Sequence, residues 1–265
     1  MGADIKSLRT RIKSVKSTLH LTKAMGLVAS SKIRKAQIAR QRSLEYAQSV
    51  ASIIDVLTSS RECEKKSPYM KKGNGKDLVV IVAGDRGLAG GYNANIFRFA
   101  KELDCELVPI GKKACEKCAK EHNSSEGFSY DDTLELALSL CERFKSGEYS
   151  RVGVLSTRYI SMISQEPRLE WILPLEKKSE SSAGAIFEPD ELTMLEHSVP
   201  TYVAGILYSC IRESFACEVV ARRNAMDSAS KNATTMIDEL QLKYNRARQG
   251  TITQEITEIV AGSGE

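Results

Sequence analysis

From Ile5 onward, apolar or small residues recur at alternating steps of three and four: Ile5, Leu8, Ile12, Val15, Leu19, Thr22, Gly26, Ala29, Ile33 and Ala36, then Ala47, Val50, Ile54 and Leu57. This heptad spacing lets a helix bury one narrow stripe against another helix. It predicts a single helix over residues 1–59. No proline occurs before Pro68 and none after Pro200. The C-terminal segment, residues 200–265, is predicted to be a second long helix with Pro200 in its first turn. At 1.5 Å per residue the two helices would run roughly 80 Å and roughly 90 Å. A domain of this size is only about 40 Å across. The two ends of the chain are therefore expected to form a shaft, which points to a mechanical or scaffolding role.

The pattern changes in the middle. Ser59–Lys76 is a charged connection containing proline and glycine. Leu78–Ala83 is an unbroken apolar, β-branched run, as in a strand buried on both faces. Glycines from Gly84 to Gly91 then turn the chain into a helix over about Asn93–Leu103. A strand at Glu106–Ile110 and a helix at Lys112–Lys120 follow. Asp131 and Asp132 cap a helix over Thr133–Lys145 with Leu134, Leu138, Cys141 and Phe144 on one face. Arg151–Thr157 is a third strand. Glu170–Leu175 is extended, and its Pro174 puts it at a sheet edge. Pro189 and Asp190 open a short helix. Alternating strands and helices over residues 77–199 predict an α/β domain with a mostly parallel sheet.

Composition is ordinary for a globular chain: 265 residues, net charge +4, 42% hydrophobic and 27% charged. No apolar run approaches the roughly 20 residues of a membrane span. The start is basic and lacks an apolar core, which excludes a secretory signal. A transit peptide would share its basic, amphipathic character, but the heptad runs through it and predicts that it is retained. Charge alters the picture more. Up to Arg42 the chain carries Lys6, Arg9, Arg11, Lys13, Lys16, Lys23, Lys32, Arg34, Lys35, Arg40 and Arg42 against one acid, Asp4, so the remainder is net acidic. Such a helix suits nucleic acid, anionic lipid, an acidic protein surface or simple solvation. The segment lacks aromatic residues for base stacking and its apolar stripe is regular, which favours an acidic protein surface.

Seven cysteines occur without framework spacing, the pattern of unpaired thiols. Cys115 and Cys118 form a CxxC inside a helical stretch with no second ligand pair, and read as two surface thiols rather than a zinc or redox site. Cys210 and Cys217, one heptad apart, read as small core residues. The turn from Gly84 to Gly91 lies where backbone amides cradle phosphate in α/β proteins. However, it has neither GxGxxG nor Gly-Lys-Ser/Thr spacing, and Gly111-Lys112-Lys113 fails the same test. Sharp geometry is the favoured account of its glycines. No nucleophile–base–acid set is visible. His20, His122 and His197 have no partners at metal spacing. No cofactor and no metal are expected.

Several runs resemble the gamma subunit of F-type ATP synthases. They are Leu21-Thr-Lys-Ala-Met-Gly-Leu-Val-Ala-Ser-Ser-Lys-Ile-Arg-Lys-Ala-Gln37, Asp85-Arg-Gly-Leu-Ala-Gly-Gly-Tyr-Asn93 and Ala221-Arg-Arg-Asn-Ala-Met-Asp-Ser-Ala229. The last continues through Glu239–Leu242, Tyr244–Gln249 and Ile252–Gly262, and Tyr159, Ser161, Gln165, Pro167 and Leu173-Pro174 also fit. The likeness keeps its order along nearly the whole chain and is weakest between Cys105 and Arg151. Departures are Ala89 where the family often has cysteine, Gly84 where it has serine or threonine, Gly26 inside the helix, and the tail Gly262-Ser-Gly-Glu265. A mid-helix glycine costs about 1 kcal/mol relative to alanine and hints at close helix packing or local compliance.

The resemblance implies a fold in which the two terminal helices form a long antiparallel coiled coil beside a central Rossmann-like α/β domain. It implies a non-catalytic rotor that turns inside a ring of alpha and beta subunits. Its α/β foot would bind an epsilon subunit and the c-subunit ring, making it peripheral to the membrane through the complex. By the same resemblance Lys23, Met25, Arg248, Gln249, Gln254 and Glu255 would contact the beta subunit, with Arg248 and Gln249 meeting its acidic loops. The implied address is the cytoplasmic face of a bacterial-type plasma membrane. The competing reading is an α/β nucleotide-binding enzyme dimerised by helical arms, which would bind nucleotide alone. A nucleic-acid scaffold ranks last.

Overall fold

The computed structural model describes residues 2–121, 123–177 and 187–262, with side chains from Ile5 onward. Helix α1 covers Gly2–Thr58, α2 Arg61–Lys66, strand β1 Lys76–Val82, α3 Tyr92–Ala100, β2 Cys105–Ile110 and α4 Lys112–Cys118. Helix α5 covers Tyr130–Lys145, β3 Tyr149–Tyr159, β4 Gln165–Leu173 and α6 Glu191–Gly262. No described helix is long and apolar enough to cross a membrane. Two compact units result, one of residues 31–221 and one of residues 1–30 with 222–265.

The larger unit is built on a four-stranded sheet of order β2-β1-β3-β4. Strand β1 runs parallel to β2 and to β3, and β4 pairs antiparallel with β3 at the edge. Alternation along β1 explains its continuous apolar run. Leu78, Val80 and Val82 face a core with Leu57 of α1, Leu140 and Phe144 of α5, and Leu195, Val203, Leu207 and Ile211 of α6. Val79 and Ile81 face the opposite layer with Ile96 and Ala100 of α3 and Ala114 of α4. A parallel strand covered on both sides needs no polar positions.

Several elements depart from the sequence reading. The connection after α1 is structured: α2 and a 3₁₀ turn over Pro68–Met70 bury Cys63 and Tyr69. The N-cap of α5 is Ser129, in a capping box with Asp132, so the helix starts before Asp131. Its buried stripe is Thr133, Ala137, Leu140, Cys141 and Phe144, whereas Leu138 is 47% exposed. Pro200 does not open the last helix. It lies inside α6, which begins at Glu191 after Asp190 accepts the Thr193 backbone N–H at 2.8 Å. An interior proline costs about 3 kcal/mol or more. Leu195, Val199 and Val203, all fully buried on the flanking turns, offset that cost.

In the smaller unit the two terminal helices pair. The hydroxyls of Thr22 and Ser230 lie 2.8 Å apart. A Cβ on Gly26 would stand 3.6 Å from that of Met226. Four residues forward on α1 therefore correspond to four residues back on α6, an antiparallel register. Burial on α6 follows Met226, Ala233, Ile237 and Leu240, with Ser230, Tyr244, Ala247 and Thr251 partly buried at the same heptad spacing.

Candidate functional site

The glycine-rich turn after β1 is the first place to look for chemistry. Gly84 donates its N–H to the Asn93 side-chain oxygen at 3.0 Å. It also lies against the buried Glu218 carboxylate, where an added Cβ would come within 2.7 Å of the carboxyl carbon. Leu88 and Gly90 adopt φ of 60° and 59°. Asp85 supplies what the sequence reading missed. Its Oδ1 accepts the backbone N–H of Lys112 at 3.1 Å and of Ser125 at 2.9 Å. Its Oδ2 accepts the Ser124 hydroxyl at 2.6 Å and the Glu126 N–H at 3.0 Å. Burial opposes ionisation of Asp85, but the Ser124 hydroxyl and the Glu126, Ser125 and Lys112 amides outweigh it and hold the carboxyl below its ordinary value.

These donors stand beyond the carboxyl ends of β1 and β2, where α/β proteins gather amides around a phosphate. Here the chain's own carboxylate takes them. The arrangement orders a loop and leaves no cradle for a nucleotide phosphate at that point.

The cysteines do not form a site. Cys115 is fully buried and Cys118 partly so, which corrects the reading of two surface thiols. The last turn of α4 points Cys115 at the sheet, where its thiol lies 4.0 Å from the Pro109 carbonyl oxygen. Burial raises the Cys118 pKa, against the demands of a reactive thiolate. Cys217 is buried, and its pKa too is raised by burial. Cys210 is only partly exposed, and burial pushes its thiol up to about 12. His20 and His197 are exposed, and His122 lies outside the described residues. Among the described residues no three metal-ligating side chains gather.

All six residues singled out as partner contacts fall in the smaller unit, in two patches. Lys23 is exposed and Met25 half-buried beside the Thr22–Ser230 pair. Lys23 lines a shallow groove with Gly26, Leu27, Arg223, Met226 and Asp227. Arg248, Gln249, Gln254 and Glu255 are exposed on the last turns of α6. The Gln254 amide donates to Glu258 at 2.9 Å. From Ser230 to Arg248 the helix rises roughly 27 Å, so the two patches are separate surfaces. Sequence reasoning missed what accompanies the second patch: Ile252, Ile256, Ile259 and Val260 are 45–70% exposed. Their spacing of four and three was the available signal.

The basic residues of α1 divide by place. Lys6, Arg9, Arg11, Lys13, Lys16 and Lys23 are exposed. Lys32 and Arg40 instead reach acids of the larger unit, Glu126 at 2.6 Å and Glu213 at 3.2 Å.

The family model described as ATP synthase matches residues 4–264. The ATP synthase gamma chain of Ruminococcus albus is 40% identical, with 98% of both chains covered. That of Mycoplasma mobile is 36% identical over the same shares. Among solved structures, a chain of the Euglena gracilis mitochondrial ATP synthase (OSCP/F1/c-ring) superposes with a TM-score of 0.67 at 18% identity, covering 99% of this chain and 94% of that one. A chain from the Tetrahymena thermophila mitochondrial ATP synthase central stalk and c-ring gives 0.62 at 19%, covering 79% and 99%. At those identities the structures speak to the fold. The full-length matches to curated relatives carry the assignment, and the chain belongs to the ATP synthase gamma-chain family.

Proposed function

We propose that this chain is the rotating central-stalk subunit of an F-type ATP synthase and couples ion flow through a membrane sector to ATP synthesis or hydrolysis at beta subunits. The observation that carries the reading is the surface of the smaller unit. Its two helices use one narrow seam for each other and turn charges and an apolar stripe outward, as a shaft inside a ring of subunits requires. In this reading the chain does no chemistry. Its asymmetric surface favours a different conformation in each beta subunit, so rotation changes their nucleotide affinities in turn through differential contacts.

Arg248 and Gln249 would hydrogen-bond acidic loops of beta. Gln254 and Glu255 would extend that contact, and Lys23 and Met25 would face the ring one patch below. The partners are then alpha and beta subunits, an epsilon subunit and a ring of c subunits. Nucleic acid has no role. The chain would be peripheral to a plasma membrane on its cytoplasmic face, held there through the complex. The internal use of Asp85 weighs against the nucleotide-binding enzyme.

The test is purification from native membranes with subunits identified by mass, together with calorimetry of the isolated chain against ATP, ADP and NAD. Co-purification with alpha and beta subunits and no nucleotide binding are expected. Micromolar nucleotide binding without those partners would overturn the reading.

A further inference from the structure

Three side-chain tethers join the second half of α1 to the rest of the larger unit. Lys32 reaches Glu126. Arg40 reaches Glu213 and lies over the Tyr159 ring at 4.8 Å. The Tyr46 hydroxyl lies 2.9 Å from that of Tyr130, with the two rings edge-to-face at 5.7 Å. The first and third tethers spring from one short stretch, since Glu126 and Tyr130 are four residues apart.

That stretch is gripped from both sides by opposite charges. Asp85 takes the amides of Ser125 and Glu126 and the hydroxyl of Ser124. Arg212 of α6, half-buried, takes the carbonyls: Nη2 donates to Ser125 O at 2.9 Å and Phe128 O at 2.7 Å, and Nη1 to Glu126 O at 3.2 Å. Its guanidinium also lies 5.1 Å from the centre of the Tyr208 ring, which packs edge-to-face on Tyr130. Asn123 adds a third hold through Gly111 N–H at 2.7 Å and Pro109 O at 3.0 Å. An exposed lysine–glutamate pair on a free loop contributes little, because ordering two long side chains offsets the attraction. Here Asp85, Arg212 and Asn123 hold the loop through bonds that do not involve Lys32, so only the lysine has to be fixed for the pair to form.

We infer that Asp85 and Arg212 are positioning residues for coupling: by gripping residues 124–128 they form a bracket that sets Glu126 and Tyr130 where they hold the second half of α1 to the rest of the larger unit against twisting. The inference rests on the rotor reading for its function but not for its geometry. The family likeness is weakest in this stretch of sequence, so the bracket is argued from this chain's own contacts.

The experiment has two arms. In the first, hydrogen exchange is measured on the full chain. Asp85→Asn, which replaces an acceptor oxygen by a donor, is expected to speed exchange at the Ser125 and Glu126 amides roughly tenfold or more, while β1 and β3 stay protected. In the second, the assembled complex is assayed for ions pumped per ATP hydrolysed. Asp85→Asn and Glu126→Gln are each expected to lower that ratio, and Lys32→Glu with Glu126→Lys is expected to recover it relative to either single reversal. If Asp85→Asn does not fold, Glu126→Gln and the reversed pair carry the second arm, because they leave the turn's backbone grip untouched. Fast exchange at residues 125–126 with wild-type coupling would overturn the inference, and so would reversal without recovery. Failure of the wild-type chain to assemble with alpha and beta subunits would defeat the rotor reading instead and would leave the exchange arm to decide the bracket.

Discussion

Helix α6 belongs to both units and is packed differently in each. From Leu195 to Val220 it is core: Leu195, Val199, Val203, Ala204, Leu207, Ile211, Ala216, Cys217, Val219 and Val220 are almost wholly buried, and Ala216–Val220 is covered on every side. From Met226 to Leu240 one residue in three or four is buried, and beyond Thr251 every described position is exposed. One helix thus passes from a three-dimensional core to a one-dimensional seam. A position closed on all sides loses transfer energy and gains a cavity when it is truncated. A seam position is flanked by solvent and can relax.

The largest effect is therefore expected in the core. Leu207→Ala, at a fully buried residue facing the sheet, should destabilise the chain by about 3–5 kcal/mol. Denaturant unfolding followed by exchange at β1 and β3 amides measures it. Ile237→Ala, the same class of change thirty residues further along, should cost about 2 kcal/mol or less, because Ile237 lies at a solvent-flanked seam. It should loosen only residues around the seam. Equal losses at the two positions would mean that the seam is as closed as the core and would erase the comparison.

That difference also governs what the sequence could reveal. The seam of α1 was legible because a helix that buries one stripe writes its period into the chain. Continued at steps of four and three, the repeat also falls on Arg40 and Ser43, where the pattern broke off. Ser43 is buried and donates its hydroxyl to the Arg40 carbonyl at 2.9 Å. Arg40 reaches Glu213 through Nη1 and lies over the Tyr159 ring. A polar residue can hold the first position because its partners lie more than a hundred residues away, which no local pattern records, and the second because its hydroxyl bonds back to its own helix. The start of α6 was misread for a related reason. Leu195, Val199 and Val203 recur at steps of four across Pro200, but what keeps the helix continuous there is their packing on elements distant in the chain, whereas the proline is a local signal of an opening. β1 was legible as a strand covered on both faces. The role of Asp85 was not, because its acceptors are paired with donors 27 to 41 residues away. The six residues expected to contact a partner follow from family likeness alone, and their exposure in two surface patches is visible only in the fold.

Acid should separate the units next, with a smaller effect. The Asp85 carboxyl is held below its ordinary value, so its contribution is present above the usual aspartate pKa of about 3.9 and is lost as pH falls through the lower folded value. Backbone resonances of Ser125 and Glu126 should stay fixed down to about pH 4 and move only below it. The Thr22–Ser230 pair at the seam is made by hydroxyls, which do not titrate over that range. A shift at residues 125–126 near neutral pH would contradict an ionised, fully bonded Asp85.

The smallest effect on folding should come from the end of the chain that the seam no longer protects. Arg248 and Gln249 are exposed on α6 past the last fully buried seam residue, Leu240. Replacing both by alanine removes no core contact, and alanine favours a helix at least as well as either residue, so stability should change by no more than about 0.5 kcal/mol. Coupling should respond quite differently. A guanidinium that binds a carboxylate in a partly dry contact contributes about 1.5–3 kcal/mol. If these two side chains meet acidic loops of a partner, the doubly substituted complex should assemble, hydrolyse ATP and pump fewer ions for each ATP consumed. Single Lys→Gln substitutions at Lys6, Lys13 and Lys23, each assayed in the assembled complex, test the same idea along α1. Lys23, beside the groove of the paired helices, should alter coupling, while Lys6 and Lys13 should be nearly silent, because exposed charges interact weakly and are screened by salt. Equal, small effects at all three lysines would mean that the basic face only solvates the helix. Wild-type pumping in the Arg248→Ala, Gln249→Ala complex would remove those residues from the contact, and the exposed stripe of Ile252, Ile256 and Ile259 would then be the surface left to test.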